Sequence, residues 1–234
     1  KDSIVTDSTV VPLFFPRLRF EHTLQYSSRK YEFRDYVGDS FYYKTNYDTA
    51  LNSSADTFLL KDQWKEMIND LSIYTFPDAK NLHQFFKVGA ALQNISLENV
   101  KGNKKLFNVF GHAEYRNRTR NQKWDMQANG KLYFTGLNAG DYYAYASLQR
   151  FVGKKMGYAQ VAFENVNRTP SFIYDARSSF YLLKSGTDFK KENTVHLFAS
   201  LLQPSLRLKL SGHYYLMTNY TYLEKFYQLQ QEGT

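Results

Sequence analysis

Cysteine is absent from the 234 residues. That excludes a disulfide scaffold, a thiolate-ligated zinc and a thiol nucleophile, and it assigns no compartment. Long apolar runs are missing too. Apart from Pro12, the longest is Val10 to Phe15, far below the ~20 residues a membrane-spanning helix needs. Lys1-Asp2-Ser3 is followed by no apolar h-region, so the start does not read as a signal peptide, and an exported protein is expected to be represented by a mature or internal segment. There is no Gly-rich phosphate loop and no Walker pattern. The five histidines, His22, His83, His112, His196 and His213, show no His-x-x-x-His spacing, so no metal site is expected.

What is present in excess is aromatic. Tyr 20, Phe 19 and Trp 2 make up 18% of the chain, against Gly 12 and Pro 5. Aromatic side chains suit pleated, half-buried surfaces, and tyrosine suits a boundary with one apolar and one wet side. With 43% hydrophobic and 22% charged residues, the composition is that of an ordered chain. The net charge of +8 is uneven. Residues 1–100 hold 11 basic and 13 acidic side chains, and residues 101–234 hold 19 and 9. Many of the later cations sit in short polar breaks, such as Lys104 with Lys105 and Lys154 with Lys155, where solvated turns account for them as well as a binding surface does.

The organising signal is alternation with a period of two. From Ser205 to Leu216, Leu206, Leu208, Leu210, Gly212, Tyr214 and Leu216 oppose Arg207, Lys209, Ser211, His213 and Tyr215. From Lys123 to Phe134, Trp124, Met126, Ala128, Gly130, Leu132 and Phe134 oppose Lys123, Asp125, Gln127, Asn129, Lys131 and Tyr133. A helix would scatter both sets around its circumference, so these are strands. Looser alternation marks segments from Leu18, Phe107, Tyr142 and Val195, with Leu106 and Phe110 breaking the polar side of the second. Phe86–Leu97, Gly157–Asn167 and Phe172–Leu183 also read as strands. The total is about 10–13, many of them long enough to match the ~9–11 residues that cross a bilayer at a tilt. Trp64, Met67, Ile68 and Leu71 fit a helical stripe instead. Residues 48–70 therefore read as a longer loop with a short helix, or as a strand with an irregular start.

A soluble sandwich also alternates. Here, however, the polar face holds Arg, Lys, Asn, Gln and Tyr along whole strands, and the apolar face mixes Leu and Phe with Ala and Gly. Aromatics gather toward segment ends, as at Tyr133-Phe134, Tyr142-Tyr143 and Tyr214-Tyr215. These are features of a membrane barrel with aromatic girdles. Catalytic chemistry is not expected. His196 with Ser200, and Ser211 with His213, share strand faces at spacings too long for a hydrogen bond along one strand. The carboxylates Glu21, Asp125, Glu164 and Glu224 lie in different segments. Aromatics on both faces argue against a stacking platform for nucleic acid.

The stretch Asn165-Val166-Asn167-Arg168-Thr169-Pro170-Ser171-Phe172-Ile173-Tyr174 resembles the β-barrel porin family of Bacteroidota outer membranes. So do Phe15-Pro16-Arg17-Leu18, Arg118-Thr119-Arg120-Asn121-Gln122-Lys123-Trp124-Asp125 and Asn138-Ala139-Gly140-Asp141-Tyr142. The resemblance runs over nearly the whole chain and supplies no site residues. It implies an outer-membrane location and a pore-type function. Family members are longer and outer-membrane barrels commonly end on an aromatic residue, whereas this chain ends Gln231-Glu232-Gly233-Thr234. The expected fold is therefore an all-β, antiparallel, up-and-down transmembrane β-barrel, incomplete in this chain, with residues 1–234 forming one barrel domain or part of one.

The expected function is passive diffusion of small hydrophilic solutes, with Arg17, Arg19, Lys123, Asp125, Lys131, Arg207 and Lys209 lining the lumen. Their positive excess gives an expected preference for anions. No cofactor is expected. The expected partners are outer-membrane lipid, lipopolysaccharide, the solutes and other outer-membrane proteins. Two further readings stay open: a non-conducting structural barrel subunit of a larger complex, and a soluble all-β binding module.

Overall fold

The computed structural model describes residues 17–36, 40–47, 57–78, 81, 83–183, 189–225 and 228–233. Nine strands form one antiparallel meander in sequence order: β1 (Leu18–Tyr36), β2 (Thr57–Thr75), β3 (Gln84–Asn99), β4 (Gly102–Arg118), β5 (Trp124–Gly136), β6 (Tyr142–Gly153), β7 (Gly157–Arg168), β8 (Glu192–Gln203) and β9 (Leu208–Thr218). A separate hairpin pairs β10 (Tyr220–Glu224) with β11 (Gln228–Glu232), and one short helix, α1 (Ser40–Asn46), follows β1. The main sheet is open. Because β1 and β9 run in the same direction, antiparallel closure between them requires an odd number of intervening strands.

The register carries the alternation seen in the sequence across all nine strands. One face takes Phe20 and Leu24 from β1, Leu71 from β2, Leu92 from β3, Ala128 and Leu132 from β5, and Leu197 and Leu210 from β8 and β9. Its apolar side chains face outward: Phe20 is 76% exposed and Leu71 66%. The other face takes the polar members of each strand. A one-residue slip anywhere would exchange the two sets, so the register is fixed by this partition.

The ends of the sheet differ. At one end β2–β3, β4–β5, β6–β7 and β8–β9 are joined by residues 76–83, 119–123, 154–156 and 204–207. The opposite, long-loop end has connections 37–56 and 169–191 beside tight turns at 100–101 and 137–141. Strands β1 to β4, of 16–19 residues, also reach further toward that end than β5 to β9, of 11–13.

Two expectations are corrected, and for the described part of residues 48–70 the structure takes the second of the two readings, a strand. Residues 57–75 are strand, paired on both sides, and the supposed helical stripe splits between faces: Trp64 and Ile68 on the polar one, Met67 and Leu71 on the apolar one. The described helix lies upstream, at α1, and residues 48–56 lie outside the described residues. Residues 172–183 are not a strand. They form a 3₁₀ turn (Phe172–Tyr174) and irregular loop, because their apolar side chains dock on the sheet's polar face instead of pairing at an edge. Finally, β9 starts at Leu208. Pro204 opens a 3₁₀ turn and Arg207 closes it in the left-handed region at φ 50°, so Arg207 stands in a turn outside the sheet. The Val10–Phe15 run lies outside the described residues.

Candidate functional site

On the polar face, hydrogen-bonded pairing aligns one residue from every strand into a transverse row: Arg19, Tyr74, Lys87, Glu114, Asn129, Tyr145, Glu164, His196 and Tyr215. Neighbours in this row and beside it satisfy one another. Lys87 Nζ donates to Glu21 Oε1 at 3.2 Å, and Arg19 to Glu21 Oε2 at 2.9 Å. Further along, His196 Nδ1 lies 3.1 Å from Glu164, its Nε2 lies 3.0 Å from His213 Nδ1, and its ring stacks on Tyr215 at 4.1 Å. The histidines thus partner Glu164 and each other rather than a serine. Among the described residues, no group of three or more His, Asp or Glu is arranged to hold a metal ion.

Glycine makes one of these links possible. Asp70 on β2 reaches His112 on β4 at 2.5 Å, across β3. A Cβ at Gly89 would lie 2.4 Å from Ser72 Oγ and 2.5 Å from His112 Nε2. Any side chain there would push this cross-strand contact apart.

The seven expected lining residues divide. Arg19, Asp125, Lys131 and Lys209 stand on the polar face of β1, β5, β5 and β9. Asp125 lies 3.8 Å from Arg116, and the Lys131 ammonium sits over the Phe110 ring at 3.8 Å. Arg17 and Lys123 lie just before β1 and β5, where their carbonyls accept from Phe76 N and Phe151 N. Arg207 is in the β8–β9 turn. Six of the seven therefore gather at the short-turn end, and Lys131 alone stands mid-strand.

The sequence reading missed the device at the other end. The β7–β8 connection leaves the end of β7 and crosses the polar face to β2, five strands away. Its two roots are clamped by Asp141, which is 6% exposed. Asp141 Oδ1 accepts from Thr169 N at 2.9 Å, from Thr169 Oγ1 at 2.8 Å and from the Lys191 ammonium, while Asn138 Nδ2 donates to its Oδ2. Asn138 is tied in turn to Asn108, which is 0% exposed. Mid-loop, Phe172 packs edge-on against Trp64 at 4.4 Å, and the Arg177 carbonyl accepts from Asn99 Nδ2 at 2.7 Å.

The far anchor is Asp62, 1% exposed. It accepts from Ser178 Oγ at 2.5 Å, Ser179 N at 2.9 Å and Ser179 Oγ at 2.8 Å. Beside it, Leu183 N donates to Asn46 O of α1 at 2.8 Å, joining loop and helix.

This end also holds most of the buried hydrophobic core. Phe58, Leu60, Ile95, Leu97, Phe110 and Leu182 are all buried, and the five strand residues among them sit on the otherwise polar face. The breaks at Leu106 and Phe110 noted in the sequence belong here, where Leu106 pairs with Ile95.

Charges in the loop and helix are set by their neighbours. Burial pushes the Asp175 carboxyl up, but Arg177, donating to both carboxylate oxygens, outweighs it and leaves the group below its usual value. In α1, a hydrogen bond to Asp35 pushes the Tyr43 phenol up to about 12. Burial pushes Tyr47 to about 12 as well. Both rings pack on Phe58, Tyr43 stacked at 3.9 Å.

A raised phenol pKa means that the fold favours the neutral form. That contribution is complete below the ordinary value of about 10 and is lost as pH rises through about 12. Undocking of α1 is therefore expected between these pH values. Tyrosine absorbance titration, recorded alongside protease access to the β1–β2 connection, checks it; access unchanged across that window would refute it.

A search of curated proteins returned no match, and neither did a search of solved structures. A family model described as "Putative porin" matches residues 11–234. That span takes in all the strands, the short turns and the clamped loop, and the chain belongs to this porin family.

Proposed function

We propose that this protein forms an outer-membrane β-barrel, or a large part of one, through which small hydrophilic solutes diffuse along the polar face. One observation carries the reading. On the outward face of nine successive strands, every Asp, Glu, Lys and Arg lies outside a band that is apolar apart from polar positions such as His22, Asn69 and Asn94. Lys30, Glu32, Arg34, Lys61, Lys65, Glu98 and Lys105 stand toward the long loops, and Arg150, over the Trp124 ring at 4.7 Å, stands at the short-turn end. The 11 residues of β9 lie wholly within the band. At ~3.4 Å per residue and a tilt of ~40° they span ~26 Å, close to the ~25 Å apolar band of outer-membrane barrels. Lipid and lipopolysaccharide are the partners such a band would meet.

Short periplasmic turns and longer outer loops are the rule for these barrels. We therefore read the short-turn end as periplasmic and the mouth filled by α1 and the loop as external. The loop makes the passage a narrowed one. The anion preference expected from the seven lining residues rests on cations near the short-turn end, because the polar face of the strands is balanced. Arg19, Arg29, Lys87, Lys104, Arg116, Arg118, Lys131, Arg168 and Lys209 face Glu21, Asp35, Asp62, Glu66, Asp70, Glu114, Asp125, Glu164 and Glu192.

The buried core at the external mouth favours a second reading, a non-conducting barrel subunit. Single-channel recording of the detergent-purified full-length protein separates the two. Discrete conductance steps with reversal potentials toward the anion value support the pore. A detergent-dependent protein that never conducts would sink it in favour of the subunit.

A further inference from the structure

The four turns of the short-turn end differ in charge from the connections at the opposite end, where residues 37–56, 100–101, 137–141 and 169–191 hold six Lys and Arg against six Asp. Among their described residues, Arg120, Lys123, Lys154, Lys155 and Arg207 face one acid, Asp78, which Arg120 engages at 2.5 Å. Strand ends beside them add Arg118 and Lys209 against Asp125, and the polar face of the strands as a whole is balanced, so the excess belongs to the turns. The Gln203 amide fixes the β6–β7 turn by donating to the backbone carbonyls of Lys154 and Lys155, so their side chains are not needed to hold that turn. The five cations come from three of these turns, 119–123, 154–156 and 204–207, so they are spread along the rim rather than clustered at one spot.

We infer that the fixed charge of the passage is a cationic collar at one mouth only, which gathers small carboxylate and phosphate anions there and makes ion permeation directional. The inference rests on the pore reading above. A charged mouth excludes co-ions when the solution bathing it is dilute, where the Debye length is ~30 Å at 0.01 M, and is screened when that solution is concentrated, at ~3 Å in 1 M salt. A collar at one end therefore gives anion selectivity that depends on which side is dilute. A uniformly lined pore gives the same selectivity both ways.

The test is a planar-bilayer recording of the full-length protein in a KCl gradient, imposed in each direction. These 234 residues hold no cysteine, so with any cysteine elsewhere in the full-length protein replaced by serine, Lys155→Cys, modified by a membrane-impermeant anionic thiol reagent from one chamber, reports which chamber the collar faces. The expected result is a larger anion-directed reversal potential with the dilute side at the collar. The difference should shrink after reagent modification. It should collapse in Lys123→Gln/Lys154→Gln/Lys155→Gln and persist in the matching Lys→Arg variant. Equal reversal potentials in both directions, or a Gln variant indistinguishable from the Arg variant, would overturn the collar while leaving the pore reading intact. A protein without conductance overturns that reading and the collar with it.

Discussion

Replacing Asp62 by alanine is expected to release the β7–β8 loop from the long-loop end of the sheet and, on the proposed pore reading, to widen the passage. The carboxylate, almost fully buried, accepts three hydrogen bonds from Ser178 and Ser179. Bonds to a charged group are worth roughly 1.5–3 kcal/mol each, and buried donors left without a partner cost roughly 1–3 kcal/mol. A loss of even ~3 kcal/mol changes the docked-to-undocked ratio by more than a hundredfold. The Asp141 clamp would still hold the loop's roots, so the sheet itself should stay folded. The measurement is single-channel conductance together with liposome swelling in sugars of increasing size. Larger steps and a raised size cut-off are expected for Asp62→Ala, with Asp62→Asn intermediate. Unchanged conductance in a variant whose loop has become protease-sensitive would show that the loop does not narrow the passage.

The second large effect concerns which face meets lipid. Ala128 and Gln127 are adjacent on β5 and point to opposite faces, Ala128 beside Tyr115 and Ala146 in the apolar band, Gln127 beside Arg116 and Ser147. An arginine at the midplane of a membrane barrel's lipid face costs ~2–4 kcal/mol, whereas substitutions in the lumen are tolerated. Ala128→Arg is therefore expected to fold into vesicles at least tenfold less favourably than the parent, and Gln127→Arg to fold nearly as well. Folded fractions read from heat-modifiable gel mobility in a urea series would give both values. If the Gln127 variant proved the worse one, the assignment of faces would be reversed; if neither mattered, the band would not be in lipid.

The sheet was legible because its rule is local. Each of Met126, Ala128, Gly130 and Leu132 differs from its sequence neighbours in the same way, and two-residue alternation survives any ambiguity about which strand lies alongside. The loop was not legible, because its signal is non-local. Read alone, residues 172–183 alternate well enough to pass for a strand, and only the pairing of Asp62 with serines some 117 positions later reveals an anchor. A trace was present in the breaks at Leu106 and Phe110, which mark where the polar face turns apolar to receive a cover. The stripe at Trp64, Met67, Ile68 and Leu71 misled for the same reason: Trp64 is apolar on the polar face because Phe172 lies against it. Two of the stretches that carried the family resemblance, Asn138–Tyr142 and Asn165–Tyr174, meet in space as the Asp141–Thr169 clamp. Asn138, Asp141 and Thr169 are the residues of these stretches that make the joint.

The placement of the buried core at one mouth has a calorimetric consequence. Water leaves apolar surface on folding mainly where Phe58, Leu60, Leu97 and Leu182 come together. On the proposed membrane reading, the much larger outward band exchanges one hydrocarbon-like neighbour for another when the protein unfolds in a micelle. Heat capacity rises on unfolding in proportion to apolar surface newly exposed to water. A chain of this size in detergent should therefore show an increment per residue well below the ~12–15 cal/mol/K of water-soluble domains. Its stability would then vary almost linearly with temperature, without the pronounced dome that water imposes on proteins whose cores lie at their centre.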